Sequence, residues 1–448
     1  MKQILILGAG RSSSSLIDRL LSRAPHAGFR VTVGDLDVRA VEARMAAHPH
    51  GLTHGSVFPM ELGATEERDA RIAASDLVIS MVPAAGHPAI AAVAIAAGVP
   101  VITPSYIAPE MAALDGAARA AGVLVLCELG LDPGIDHLSA MALLADLRAG
   151  GAQVTHFESY CGGLPAPASD TNPWHYKFSW APRNVVVAGQ SGTSTFLAGG
   201  MPRAVPPHRV FRTVRPVEVA GVRYDGYPNR DSLAYTERYG LDGVDTLIRG
   251  TLRGEGFCAA WDVLVGLGCV RDDVRLEWPE GTSWAEWLRT FVPDGERGGD
   301  LRAEVAGVTG AGEEALDRLA WLGLFDGQEG PGACAGTPAD ILQGLLERRW
   351  RLEPGDRDLI VLVHRIEYVQ GGQRYEAVSS LVREGRDTVF TAMSDTVGWP
   401  IAVAAEVLLA GGFGRTGVEA PLAPVYAERL LPELEALGIR FEEIRRAL

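Results

Sequence analysis

The sequence predicts an α/β protein whose first 130 or so residues form a parallel, doubly wound sheet. Two observations carry this. Short apolar stretches alternate with Ala-rich helical ones, and parallel strands need helical crossovers of that kind. The first apolar stretch also runs through a glycine turn straight into a helix, a join characteristic of nucleotide-binding sheets.

In order, the first strand covers 3–7 (QILIL), the turn is Gly8-Ala9-Gly10-Arg11-Ser12-Ser13, and a helical run follows at 16–21. A helix N-terminus offers unpaired N–H groups and a partial positive charge, so such a turn is an anion site. Gly8 permits the turn, Gly10 lets the backbone approach a pyrophosphate, and Ser13 stands where the usual fingerprint has a third glycine. A second strand at 29–33 ends at Gly34-Asp35, which places Asp35 27 positions beyond Gly8, near where a ribose-binding acid belongs. Further strands are expected at 77–80, 99–103 and 123–127, with helices at 38–47, 66–74, 89–97 and 109–121. The turns at 80–83, with Met81, and 103–106, with Ser105 and Tyr106, follow strands. Ligands of such sheets sit outside the carboxyl ends of strands, so both turns are candidate contacts.

After residue 151 the texture changes. Strand-like segments are expected at 154–160, 184–188, 210–215 and 217–222, and helical ones at 246–252, 257–267, 283–291 and 313–322. Gly371-Gly372 between 359–368 and 374–383 signals a hairpin, and helices follow at 399–410 and 425–437. A chain of 448 residues is too long for one ordinary core and suggests two or three domains.

The net charge of −15 argues against a nucleic-acid partner, and an acidic ligand would need a local arginine cluster. The five cysteines are scattered without CxxC spacing, which reads as reduced thiols in a cytoplasmic protein and not as a zinc site. The N-terminus enters a strand with no signal-peptide h-region, and the apolar stretch 77–102 is broken by Pro83, His87, Pro88 and Pro100, which argues against a membrane span.

Three segments carry chemistry. In 128–137 (ELGLDPGIDH), Gly130 and Leu131 are expected along the nicotinamide edge of the cofactor, and Asp132 follows a strand of the nucleotide-binding sheet. Asp136, a candidate helix cap, and His137 read as structural. In 159–167 (SYCGGLPAP), Cys161 precedes two glycines that admit a ligand to the backbone, although a lone cysteine is more often buried and inert. In 227–232 and 248–253, Arg230, Arg249 and Arg253 form a candidate carboxylate clamp, since the guanidinium fork binds a carboxylate bidentately. His48, His50 and His54 fit no standard metal spacing and read as an exposed loop.

These segments occur in a telling order: GAGRSSS, TPSYIAPE (103–110), GLDPGIDH (130–137), SYCGGLPAP, NPWHYKFSWAPR (172–183), YPNRDS (227–232), IRGTLR (248–253) and MSDTVGWPIAVAAEVLL (393–409). Together they resemble the family of L-glutamate-forming saccharopine dehydrogenases, also called saccharopine reductases, over nearly the whole chain. The resemblance implies a Rossmann domain of residues 1–130 plus 390–448. It also implies an α/β saccharopine-binding domain of 131–240 plus 351–389 and a small inserted helical domain of 241–350. The implied reaction oxidises the CH–NH bond of L-saccharopine with NAD(P)+ and gives L-glutamate and 2-aminoadipate 6-semialdehyde.

On that resemblance the catalytic positions fall on Asp132, Tyr106 and Cys161. Substrate contacts fall on Ser105, Arg230, Thr251 and Arg253, and cofactor contacts on Gly8, Gly10, Arg11, Ser12, Ser13, Asp35 and Met81, with Trp180 near the cofactor. NADP-using members often carry an arginine just after the second strand. Here Gly34-Asp35-Leu36-Asp37 stands there, and a carboxylate suits a ribose 2′-OH and repels a 2′-phosphate, so NAD is expected over NADP, with Arg39 as a counterweight. A small-molecule substrate and a homodimer are expected. Two other readings stay open: a related N-(carboxyalkyl)amine reductase such as carboxynorspermidine dehydrogenase, and a non-catalytic NAD-binding sensor.

Overall fold

The computed structural model describes all residues except 63–64, 191, 294–298 and 333, with the side chain of residue 65 also undescribed. The chain divides into two compact units, Met1–Ala152 with Gly385–Phe441, and Gln153–Glu384 with Glu442–Leu448.

The first unit is built on β1 (Lys2–Leu7), β2 (Phe29–Asp35), β3 (Gly55–Pro59), β4 (Leu77–Ser80), β5 (Val101–Ile102) and β6 (Leu124–Leu126), with a short strand Gly417–Glu419 from the returning chain. All neighbours pair in parallel, in the order Gly417–Glu419, β6, β5, β4, β1, β2, β3. Ile4 to Leu7 are buried, as a strand covered by helices on both faces must be. The strand order reverses beside β1, which lies between β2 and β4, so the crevice for a ligand opens at the carboxyl ends of β1 and β4.

Two expectations in this unit change. The stretch with His48, His50 and His54, expected as an exposed loop, contains a helical turn Gly51–His54, and β3, for which no strand was expected, follows it directly. An edge strand built from GSVFP carries too little apolar alternation to announce itself. The expected helix 109–121 breaks into Pro109–Ala112 and Asp115–Ala121.

The helix Ala392–Leu409 returns the chain to this unit. It is apolar and long enough to cross a membrane by composition, yet 72% of it is buried inside the protein. Part of that burial is against the helix Ser14–Ala27, where a Cβ on Gly398 would lie 2.6 Å from the Leu16 nitrogen.

The second unit holds a nine-stranded mixed sheet: β7 (Gln153–Pro165), β8 (Ser194–Ala198), β9 (Met201–Val205), β10 (Arg215–Val219), β11 (Val222–Pro228), β12 (Thr246–Gly254), the hairpin Asp358–Gln370 and Gln373–Glu384, and Glu442–Ala447. The pairing of β7 with β12 is parallel and sets Thr251 beside Cys161. Residues 246–252, expected as a helix, are therefore strand. Thr246, Ile248 and Thr251 are β-branched, and β12 is paired on both edges, by β11 and β7. Residues 184–188, expected as strand, instead continue a helix Pro182–Val186 that opens on a proline, and much of 210–215 falls in a 3₁₀ turn, Pro207–Arg212.

The helices between 257 and 349 do not separate as a third unit. Trp261, Trp287 and Trp350 share one buried core with Tyr227 of β11 and with Trp174 and Tyr176 from the segment after β7. The expected boundaries move accordingly: the helix Ile135–Ala149 belongs to the first unit and the strand Glu442–Ala447 to the second.

Candidate active site

The glycine turn follows β1 directly. Gly8 has φ of +94°, and a Cβ there would sit 2.8 Å from the Met81 carbonyl oxygen at the end of β4, so only glycine fits. A Cβ on Gly10 would meet nothing within 4 Å, so the backbone there is open to a ligand. Arg11–Ser13 form a 3₁₀ turn that runs into the helix Ser14–Ala27. Ser13 is buried and its Oγ donates to the Gly10 carbonyl at 2.7 Å, Ser12 is half-buried, and Arg11 is exposed. At the end of β2, Asp35 Oδ2 accepts from the Ala9 N–H at 2.6 Å and Oδ1 from the Asp37 N–H at 2.9 Å. The acid thus braces the turn from across the sheet. Burial lowers the pKa of the nearby Arg44 guanidinium, and the charge of Asp35 opposes that fall.

The loops after β5 and β6 hold each other. Glu128, with φ of +55°, donates its N–H to the Ser105 carbonyl at 3.0 Å. Its Oε1 accepts from the Ile107 N–H at 3.3 Å, and its Oε2 lies 2.9 Å from His137 Nε2. Gly134, with φ of +144°, packs so closely that a Cβ would fall 2.1 Å from the Gly130 backbone, and Asp136 accepts from the Gly134 N–H at 2.6 Å. Asp136 and His137 are buried and shape this loop. Gly130 and Leu131 are buried within it, and Asp132 reaches out, where the Tyr106 hydroxyl donates to its Oδ1 at 3.2 Å. A phenol and a carboxylate in hydrogen-bond contact at the carboxyl ends of two neighbouring strands make a proton-handling pair.

Sequence reasoning missed two groups here: the Glu128–His137 pair, and His87. His87 opens the helix His87–Ala96 and is only 3% exposed, with Nδ1 2.7 Å from Ser80 Oγ and Nε2 2.8 Å from Ser105 Oγ. Burial pushes its pKa down to about 4. The available signal was a His-Pro pair soon after a strand end, with Ser80, Thr103 and Ser105 all at strand ends.

In the second unit Cys161 lies on β7, buried, opposite Thr251 on β12. Arg253 is 4% exposed and lies over the rings of Tyr176 and Phe257 at 5.3 and 5.6 Å. Its Nη1 donates to the Leu252 carbonyl at 3.0 Å, while its Nε has no hydrogen-bond partner among the described residues. Burial works against its charge, but Tyr227, Tyr176, Cys258 and Cys161 outweigh it and the pKa is raised. A buried guanidinium with an unused N–H is suited to an anionic ligand. Arg230 follows β11 with φ of +55°, and its carbonyl accepts from the Thr195 N–H at 2.9 Å. Arg249, the third arginine of the expected clamp, packs over the Tyr235 ring at 4.1 Å. Trp180 donates to the Tyr176 hydroxyl at 3.1 Å and packs on the second-unit core.

Residues 4–126 match the model of the saccharopine dehydrogenase NADP binding domain, and residues 130–439 match that of the saccharopine dehydrogenase C-terminal domain. The chain belongs to the saccharopine dehydrogenase family. It is 34% identical to saccharopine dehydrogenase [NADP(+), L-glutamate-forming] of Pyricularia oryzae, over 99% of this chain and 98% of that one. It is 34% identical to the mitochondrial alpha-aminoadipic semialdehyde synthase of Bos taurus, over 98% of this chain but 47% of the longer bovine protein. Among solved structures, the apo saccharopine dehydrogenase (L-Glu forming) of Saccharomyces cerevisiae matches with a TM-score of 0.87 at 31% identity, covering 100% of both chains. The glycine turn and its sheet are thus those of a family that carries an NADP-binding domain, and the Gly8 and Gly10 geometry fits a dinucleotide pyrophosphate.

Proposed function

We propose that this protein oxidises L-saccharopine at its CH–NH bond, giving L-glutamate, 2-aminoadipate 6-semialdehyde and reduced dinucleotide, and that it also runs the reverse reductive amination. The observation that carries this reading is the Tyr106–Asp132 contact at the carboxyl ends of the dinucleotide-binding sheet. The bound nicotinamide ring supplies a hydride acceptor.

The chain's residues have the remaining work. The substrate's secondary amine must lose its proton before hydride leaves the adjacent carbon. Water then adds to the resulting imine, and the glutamate nitrogen needs a proton to depart. Asp132 orients that nitrogen and exchanges its proton, while Tyr106 holds the carboxylate through its hydroxyl. Ser105, Arg230, Thr251 and Arg253 take the three carboxylates of saccharopine, with Arg253 supplying the buried charge, and Cys161 positions substrate from β7.

Asp35 supports NAD as the preferred form, since a carboxylate beside the ribose accepts from a 2′-OH and repels a 2′-phosphate. The NADP(+) in the names of the fungal relatives weighs the other way. The test is dinucleotide reduction with L-saccharopine, with products identified by mass spectrometry. Glutamate and the semialdehyde support the reading, and dinucleotide binding without turnover of saccharopine moves it to a relative acting on another amine. In the same assay kcat/KM is expected to be about tenfold higher with NAD than with NADP, a 1.4 kcal/mol preference, and Asp35→Ser to erase it. A wild-type preference for NADP overturns the assignment to Asp35.

A further inference from the structure

We propose that His87 is a positioning residue that sets the direction of the Ser105 hydroxyl, through a continuous chain Ser80 Oγ–His87–Ser105 Oγ, so that Ser105 donates to a substrate carboxylate. This rests on the saccharopine reading above and on Ser105 as a substrate contact.

The geometry fixes the chain at both ends. Ser80 is the last residue of β4 and Ser105 follows β5, so the imidazole bridges two neighbouring strand ends in the first unit. Nδ1 lies 2.7 Å from Ser80 Oγ and Nε2 lies 2.8 Å from Ser105 Oγ. Thr103 Oγ1 lies 3.2 Å from Nε2 and leans on the same nitrogen. Ser80, His87 and Thr103 are all buried and Ser105 is half-buried, so the inner end of the chain is shielded from water while its Ser105 end is open to a ligand.

Burial also keeps the ring neutral, with its pKa near 4. A neutral imidazole has one N–H donor and one acceptor nitrogen, whereas a hydroxyl can play either part. The chain therefore has two polarities. With the proton on Nε2, the ring donates to Ser105, whose own hydrogen is left to point at a ligand. With the proton on Nδ1, Ser105 donates inward to Nε2 and can offer a ligand only its lone pairs. A carboxylate accepts and never donates, so a bound carboxylate selects the Nε2–H form, and a substrate amine or ammonium in the same place selects the other. A histidine serving only to fill the core has no reason to change tautomer with the ligand.

The test has two parts. The first compares His87→Phe, Ser105→Ala and the double variant. His87→Phe is expected to raise KM for saccharopine about tenfold while leaving KM for the dinucleotide within twofold, and to add no more than twofold in the Ser105→Ala background, because coupled residues are not additive. Multiplicative effects, or an effect confined to the dinucleotide, overturn the inference. The second part reads the ring nitrogens by NMR in wild-type protein labelled with 15N-histidine, using His87→Gln to assign the signal. This part stands if His87→Phe fails to fold. Saccharopine in the presence of reduced dinucleotide, which cannot oxidise it, is expected to hold His87 in the Nε2–H tautomer, and an Nδ1–H tautomer in that complex overturns the inference. Calorimetric titration of the wild type separates the two levels. Failure to bind saccharopine overturns the substrate reading, whereas binding with the ring in the Nδ1–H tautomer overturns only the role of His87.

Discussion

At the scale of single residues, the chemistry rests on a few contacts that one atom can break. Tyr106→Phe removes the hydroxyl that donates the 3.2 Å bond to Asp132 and keeps the ring. A hydrogen bond to a charged group contributes about 1.5–3 kcal/mol, so kcat/KM for saccharopine is expected to fall roughly 10- to 100-fold. Asp132→Asn keeps the shape and removes the proton acceptor, and kcat is expected to fall by about 10²–10⁴ with dinucleotide affinity unchanged. A larger loss in Tyr106→Phe than in Asp132→Asn, measured by steady-state kinetics, would reverse the roles assigned to the pair. Gly8→Ala acts on the cofactor instead. The added methyl meets the Met81 carbonyl at 2.8 Å, where φ is already +94°. The turn must shift, and titration is expected to show at least tenfold weaker dinucleotide binding together with about 1–3 kcal/mol of lost stability.

At the scale of elements, the fixture that matters is the junction between the glycine-turn helix and the returning helix Ala392–Leu409. Thr391 caps that helix by accepting from the Ser394 N–H at 2.9 Å, and Ser394 Oγ accepts from the Ser15 N–H at 2.9 Å. Asp395, fully buried, accepts from Ser15 Oγ at 2.5 Å and from Arg386 Nη2 at 3.1 Å. Asp395→Ala leaves Ser15 and Arg386 without this acceptor and is expected to cost about 2–4 kcal/mol in urea unfolding; a loss below about 1 kcal/mol would show that the junction is held by packing alone.

Which elements could be read from sequence follows from the same physics. β1 and β4 are legible because a strand buried on both faces reads as an apolar run, β2 because Phe29, Val31 and Val33 alternate with Arg30 and Thr32, and the glycine turn because only glycine fits against Met81. β12 is not, because Ile248 to Arg253 alternates too weakly to distinguish a central strand from a helix until β7 and β11 pair with it. Arg253 was visible as a charge in an acidic chain, but its burial between Tyr176 and Phe257 is a property of the second unit's core. His87 escaped notice because its partners lie 7 and 18 residues away and meet only when β4 and β5 lie side by side.

At the scale of the whole molecule, the buried imidazole couples folding to pH. His87 has a pKa of about 4 in the folded protein, lowered by burial, against about 6.5 in an unfolded chain. The unfolded state therefore takes up a proton at this residue between those two values while the folded state does not. Stability from the neutral ring is fully present above pH 6.5 and drains away as the pH falls toward 4. At pH 5 the loss at this one site amounts to about 2 kcal/mol relative to neutral pH. Carboxylates elsewhere in this acidic chain also change stability over that range, but they are common to the wild type and to His87→Gln, so the difference between the two isolates the histidine. His87→Gln is expected to be the less stable protein at pH 7.5, having lost the fit of the ring to both serines, and to lose about 2 kcal/mol less than the wild type on going to pH 5. Calorimetric or urea unfolding of both proteins at several pH values checks this. Parallel curves would mean that the His87 ring already carries its proton in the folded state at pH 5, and a wild type that gains stability relative to His87→Gln on acidification would mean that the folded protein holds that proton more tightly than the unfolded chain.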